Sequence, residues 1–170
     1  PNIILIMADD LGYNDISTFG GGAADGRVQT PHIDQLAAEG IVFSQAYAGN
    51  ATCAPSRAMV MTGRYPTRTG FEFTPTPPGM GPMVSMVASS IDSGLPSGRF
   101  NEARSESALA YEQQGLATEE VTIAEVLRDR GYYTAHIGKW HLGRAQGLAP
   151  IDQGFDDSLL MASGLYLPED

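Results

Sequence analysis

The sequence is poor in several residue types, and each scarcity narrows what the chain can do. Its 170 residues include one cysteine, one lysine and one tryptophan. A single cysteine excludes an internal disulfide framework. It also leaves the compartment unreadable, so periplasmic, secreted and cytoplasmic settings all stay compatible. Basic residues number 10 against 20 acidic ones, a formal net charge of -10. A phosphate backbone demands a basic surface, so no nucleic-acid partner is expected. A small anionic substrate is not excluded, because a local cation or basic cluster can dominate a pocket. No run reaches the roughly 18 apolar residues of a membrane helix, so no membrane span is expected. The chain opens at Pro1 with neither an initiator Met nor a signal-like segment, which fits a removed leader or a trimmed chain.

What the sequence does contain is enough apolar material for a real core, 42% of residues, punctuated by 20 Gly and 11 Pro. That combination points to ordered loops carried on an α/β scaffold. Asn2 to Ala8 is a continuous apolar run ending at Asp9-Asp10. Such a run, covered on both faces, reads as a central parallel strand. Thr30-Pro31 predicts a helix start, with Thr30 as N-cap and Pro31 in the first helical position, and Gly40 predicts its end. Ile41 to Tyr47 reads as a second strand, giving a β-loop-α-β unit and a parallel sheet. Thr122-Ile-Ala-Glu125 fits a capping box for another helix, stopped by Gly131. Tyr132 to Ile137 follows as the next strand. Residues 71–116 lack clear periodicity and read as a loop insertion over the site, with a short helix near 101–114. Met80, Met83 and Met86 recur at helical spacing there, which suggests a small apolar patch packed under the loop.

Three clusters carry chemistry. Asp9 and Asp10 sit where a buried strand is expected to end, the place where open α/β sheets bind ligands. Adjacent carboxylates repel unless a cation neutralises them, and a hard divalent ion does so well. A solvated turn with an Asp cap is the plainer alternative. Cys53 opens Cys53-Ala-Pro-Ser-Arg57, with Pro55 suited to a first helical turn and Gly63 to the helix end. A helix N-terminus favours negative charge at that position. A buried, inert cysteine is the plainer reading. A thiolate phosphatase is excluded, since its phosphate loop needs a wider interval than that from Cys53 to Arg57. Finally, Lys139 and His141 flank Trp140, so in extended backbone both point to one side and can face an anion.

In this order the clusters closely resemble the sulfatase family, the formylglycine-dependent branch of the alkaline phosphatase superfamily. The matching pieces are Pro1 to Tyr13, Thr30-Pro31-His32-Ile33-Asp34, Cys53 to Arg64, Tyr65 to Gly70, and Gly138 to Gly143. The resemblance implies an α/β fold with a mostly parallel central sheet flanked by helices, alkaline-phosphatase-like and incomplete in this chain. Residues 1–170 would be the N-terminal part of the catalytic domain, with the C-terminal remainder absent. It implies hydrolysis of sulfate esters, with a small sulfated substrate, by a protein in which this chain alone is inactive. A formylglycine-generating enzyme would convert Cys53 to Cα-formylglycine, whose hydrated diol is the nucleophile. Asp9, Asp10 and the modified Cys53 would bind Ca²⁺, with Mg²⁺ as the alternative. Arg57 would hold the diol, Lys139 would bind sulfate and His141 would assist its release. Two carboxylates and one diol oxygen fall short of the roughly six to eight ligands of Ca²⁺. The family alternative is a formylglycine-dependent phosphonate monoester hydrolase or phosphodiesterase; an inactive truncated fragment is the non-enzymatic one.

Overall fold

The computed structural model describes residues 1–77, 79–91, 94, 101–103 and 107–161, which fall into two units divided after Ala48. In the first unit the apolar run from Asn2 to Ala8 belongs to no strand. Ile4 and Ile6 are 85% and 83% exposed. The expected strand at Ile41 to Tyr47 is likewise absent, and Ile41 and Phe43 face solvent. The physical reason is non-local. A central strand needs ladder partners for its N–H and C=O groups on both edges. Among the described residues the only sheet is elsewhere and has two strands. Apolar content marks surface that favours cover; it cannot supply the partner.

The first unit is instead organised by a polar knot. A 3-10 turn, Tyr13–Asp15, leads into two four-residue helical turns, α1 (Ser17–Gly20) and α2 (Ala23–Gly26), and then α3 (Pro31–Glu39). Tyr13 stacks on Phe19 at 4.7 Å between centroids. Helix α3 starts where Thr30-Pro31 predicts. However, the Thr30 hydroxyl does not cap it in the usual way. It accepts from the Ser17 N–H at 3.0 Å and lies 2.7 Å from Ser17 Oγ. Asp34 gathers the Ser17 hydroxyl at 2.5 Å, and the Thr18 hydroxyl and N–H at 2.6 and 2.9 Å. These donors, led by Ser17, hold the Asp34 carboxyl below its ordinary range. Gly40 ends the helix as expected, but with φ -121, not in the left-handed region.

The second unit is built on α4 (Cys53–Thr62), the short α5 (Pro66–Thr69), α6 (Met80–Ser90), α7 (Ile123–Asp129), β1 (Ala135–Gly138) and β2 (Asp157–Leu160). Gly63 terminates α4 in the left-handed region, φ 66, its N–H on the Met59 carbonyl at 2.8 Å. Thr122 and Glu125 form the expected capping box on α7. The Thr122 hydroxyl also donates to the Gln153 carbonyl at 2.7 Å. Strand β1 begins later than the predicted Tyr132 because Thr134 is held by Asp156, with its N–H 2.9 Å from Oδ2. The two strands are parallel, as expected, with His136 opposite Ser158. The core packs Ala54 and Ala58 of α4 against Phe71, Leu116, Trp140 and Leu142, with Met61, Phe155 and Leu160 alongside.

One expectation for 71–116 is corrected. The Met80, Met83 and Met86 spacing does form a helix, α6, but none of its residues is buried, and Met83 and Met86 are exposed. Of the short helix expected near 101–114, residues 102 and 103 are helical and Tyr111–Gln113 forms a 3-10 turn, while 104–106 lie outside the described residues. The region has an ordered stem. Gln114 accepts from the Thr76 N–H at 2.8 Å and donates to the Thr76 and Leu109 carbonyls at 3.0 and 2.8 Å. No described helix is long and apolar enough to cross a membrane.

Candidate active site

Cys53 is the first residue of α4 and is half-buried, between Thr52 outside the helix and the fully buried Ala54. Thr52 is fixed from behind by Asn50, whose side-chain oxygen accepts from the Thr52 N–H at 2.9 Å. The backbone under the thiol is therefore rigid while its Sγ remains in contact with other groups. Sγ lies 3.3 Å from His141 Nδ1 and 3.9 Å from Thr74 Oγ1. The N-terminal end of this ten-residue helix favours negative charge on whatever group stands at position 53.

Arg57 sits one turn further along α4 and is 9% exposed. Its Nη1 donates to the Lys139 carbonyl at 2.6 Å. A buried guanidinium is thus anchored to the backbone that follows β1. Trp140 is buried, and its indole N–H donates to the Leu148 carbonyl at 2.8 Å. The Leu142 carbonyl accepts from the Leu116 N–H at 2.8 Å. The turn carrying Lys139 and His141 is consequently pinned on both sides.

His141 reaches Cys53 by a route that alternation does not anticipate. Its φ is 64, in the left-handed region, so the backbone is not extended through this residue. A non-glycine residue held there costs on the order of 1–3 kcal/mol and persists only when its surroundings over-determine it. The expectation that Lys139 and His141 share one side through simple strand geometry is therefore corrected. The Lys139 carbonyl meets the site by accepting from Arg57.

The four residues Cys53, Arg57, Lys139 and His141 belong to the second unit, where the Cys53–His141 and Arg57–Lys139 contacts join them in pairs. Asp9 and Asp10 belong to the first unit. Asp9 is half-buried and Asp10 exposed, the latter at φ 56. Carboxylates are the right donors for a hard divalent cation. Among the described residues, however, no group of three or more His, Cys, Asp or Glu is gathered to hold a metal. The donor chemistry fits and the ligand count does not.

Three neighbours escaped the sequence reading. Thr74 touches Cys53 from a stretch with no periodic signal. Glu120, 9% exposed, binds Arg64 just beyond α4, with Nη1 at 2.7 and 2.6 Å from its two oxygens. His136, on β1, packs edge-on to Trp140 at 5.4 Å between centroids. Burial, partly offset by a hydrogen bond to the Lys139 backbone and reinforced by the nearby Arg57, holds its ring below the usual imidazole range. The only advance signal for it was scarcity, since the chain has three histidines.

Comparison with known proteins identifies the lineage. The Sulfatase family model matches residues 1–166. Human steryl-sulfatase is 41% identical over 143 residues, covering 84% of this chain, and human arylsulfatase A is 40% identical over 157 residues, covering 91%. The chain spans only 19% and 24% of the length of those two relatives. Among solved structures, that of Ps i-CgsB superposes with a TM-score of 0.70 at 34% identity, covering 96% of this chain and 28% of its own. The likeness bears out the α/β, alkaline-phosphatase-like fold class expected from the sequence, of which the described parallel pair and its helices form part. The chain belongs to the sulfatase family.

Proposed function

We propose that this chain serves the hydrolysis of sulfate esters, with Cys53 as the precursor of the nucleophile. The observation that carries the reading is the placement of Cys53 at the start of α4, its Sγ 3.3 Å from His141 Nδ1. In the active form we assign residue 53 as Cα-formylglycine, made by a formylglycine-generating enzyme. Sγ in the structure then stands in for the oxygens carried on the Cβ carbon. The position suits that change, because the backbone is fixed while polar groups, His141 and Thr74, meet the side chain. Once hydrated, the aldehyde supplies an oxygen nucleophile and a second hydroxyl whose deprotonation releases sulfate.

The other residues of the chain provide the setting. His141 Nδ1 is within reach of the position-53 side chain and moves a proton there. Arg57 places positive charge one turn behind it and locks the Lys139–Trp140 peptide. Lys139 binds the sulfate, whose oxygens accumulate charge as the ester bond breaks, and such charge complementarity is usually the largest catalytic contribution. Asp9 and Asp10 would supply two of the carboxylates holding a divalent cation, Ca²⁺ with Mg²⁺ as the alternative, which would add positive charge for the sulfate oxygens. The phosphonate and phosphodiester alternative gains no support, since both named human relatives are sulfatases. Steryl and aryl esters are what those relatives' names announce, and an apolar sulfated alcohol or phenol is the substrate class to try first.

The test is intact-protein mass spectrometry after co-production with a formylglycine-generating enzyme, paired with hydrolysis of an aryl sulfate. The expected result is the mass change for replacement of a CH₂SH group by an aldehyde, and turnover only in the modified protein. Full activity with an unmodified thiol at position 53 would overturn the assignment.

A further inference from the structure

We propose that Thr74 is a further catalytic residue of this site: its hydroxyl holds the side chain at position 53 together with His141, and a clasp made by Gln114 positions it. The inference rests on reading Cys53 as the precursor of the nucleophile. Thr74 is half-buried, and its Oγ1 lies 3.9 Å from Cys53 Sγ, the hydroxyl's one hydrogen-bond partner among the described residues. The stretch that carries it is fixed at both ends. Phe71, three residues earlier, is buried in the core with Ala54 and Ala58 of α4. Thr76, two residues later, is bound through both of its backbone polar groups. Its N–H donates to the Gln114 side-chain oxygen at 2.8 Å, and its carbonyl accepts from Gln114 Nε2 at 3.0 Å. Gln114 Nε2 also donates to the Leu109 carbonyl at 2.8 Å, so both donors of the amide are used.

The same clasp refers Thr74 to the turn that carries His141. Two residues after Gln114, the Leu116 N–H donates to the Leu142 carbonyl at 2.8 Å. Gly115 lies so close to that turn that a Cβ on it would sit 2.5 Å from the Leu142 oxygen. Both polar neighbours of Sγ, His141 Nδ1 at 3.3 Å and Thr74 Oγ1 at 3.9 Å, are thus set in one hydrogen-bonded frame. A loop staple alone accounts for Gln114, but not for a half-buried hydroxyl whose partner is the thiol. A thiol offers one sulfur, and here that sulfur sits nearer His141. A hydrated aldehyde offers two oxygens from the same carbon. His141 meets one, and Thr74 is placed to hold the other. Thr74 forms no covalent bond and keeps its proton. Its hydroxyl orients the diol by hydrogen bonding, for which it has one donor and two acceptor lone pairs.

The test first reads Cys53 without turnover. It is the only cysteine of the unmodified 170-residue chain, so alkylation by iodoacetamide at neutral pH reports the surroundings of Sγ. Thr74→Val removes the hydroxyl and keeps the shape; Thr74→Ser keeps the hydroxyl. A hydroxyl that donates to the reactive thiolate favours it. Thr74→Val should therefore slow alkylation roughly three- to tenfold, the effect of one lost hydrogen bond, and Thr74→Ser should stay close to wild type. Gln114→Ala should slow it too, and should add nothing in the Thr74→Val background, because it acts by placing that hydroxyl. A clasp that serves the loop alone would give no such coupling. The indole N–H resonance of Trp140, the only tryptophan, checks that each variant is folded. In protein bearing formylglycine, Thr74→Val should lower kcat for an aryl sulfate by a similar factor, and Thr74→Ser should retain it. A wild-type alkylation rate in folded Thr74→Val, additive effects in the double variant, or an unchanged kcat would each overturn the proposal. If Thr74→Val does not fold, Thr74→Ala enters the same cycle with Gln114→Ala and decides by the same outcomes. The alkylation arm involves neither sulfate nor formylglycine. Failure to modify Cys53 would thus end the sulfatase reading without touching this contact, and failure of the Thr74 variants would leave the sulfatase reading standing.

Discussion

Cys53 meets His141 on one side and Thr74 on the other, and the chemistry of the site turns on which atom replaces its Sγ. In catalytically active protein, Cys53→Ala should abolish hydrolysis of an aryl sulfate while circular dichroism stays unchanged, since one small side chain is lost. Lys139→Ala should lower kcat/KM by about 10²–10³-fold, the range for removing one donor to developing oxyanion charge. An unchanged value would remove Lys139 from the sulfate site. His136 makes a separate prediction about pH. Its folded pKa lies below the ordinary 6.5, so the unfolded chain takes up the proton first. The contribution of the neutral ring to stability is complete above about 6.5 and is lost as pH falls from there towards the folded value. Urea midpoints measured between neutral and mildly acidic pH should therefore decline, and His136→Gln should flatten that decline.

At the scale of elements, the chain is held by local devices that the sequence displays and long-range pairings that it does not. The Thr122 hydroxyl accepts from the Glu125 N–H at 3.2 Å and also ties α7 to Gln153. Thr122→Ala should cost roughly 1–2 kcal/mol in urea unfolding, the upper part of the range for lost N-caps. Gly154 follows the 3-10 turn Pro150–Gln153 at φ 103, and a Cβ there would sit 2.4 Å from the Glu125 backbone nitrogen. Gly154→Ala should destabilise by on the order of 2 kcal/mol or more, combining strain with a clash against backbone. Helices α3, α4 and α7 were legible because Pro31, Gly63 and the Thr122–Glu125 pair act within one turn of the chain. The parallel direction of β1 was legible from the preceding helix and the apolar run. The runs at 2–8 and 41–47 misled, because their apolar character signals a strand whose partner no local pattern can name. In the site, Cys53 and Arg57 were found through their shared helix and Lys139 and His141 through their strand end. What stayed hidden was backbone: the Lys139 carbonyl as the acceptor for Arg57, and the left-handed turn at His141.

Across the molecule as a whole, a large share of the big apolar side chains is exposed, among them Ile4, Ile6, Ile41, Phe43 and the α6 residues Met83 and Met86. Surfaces of this kind bind other apolar matter. The 170-residue chain should bind ANS and self-associate at raised concentration. Ile4→Lys with Ile6→Lys should reduce both, with no change in the Trp140 indole resonance, which reports on the second unit. Light scattering and ANS fluorescence check the outcome, and no reduction in either would locate the adhesive surface elsewhere.

The clasp made by Gln114 has a consequence for design. By joining Thr76 to Leu109 it separates the stem beside Cys53 from the amino acids strung between those two ends. Because the entropy of closing a loop grows only slowly with length, lengthening the connection between α6 and Leu109 should cost little stability. A foreign recognition sequence inserted between Ser90 and Leu109 should therefore be tolerated, with Gln114 retained as the fastening and Thr74 undisturbed against the thiol.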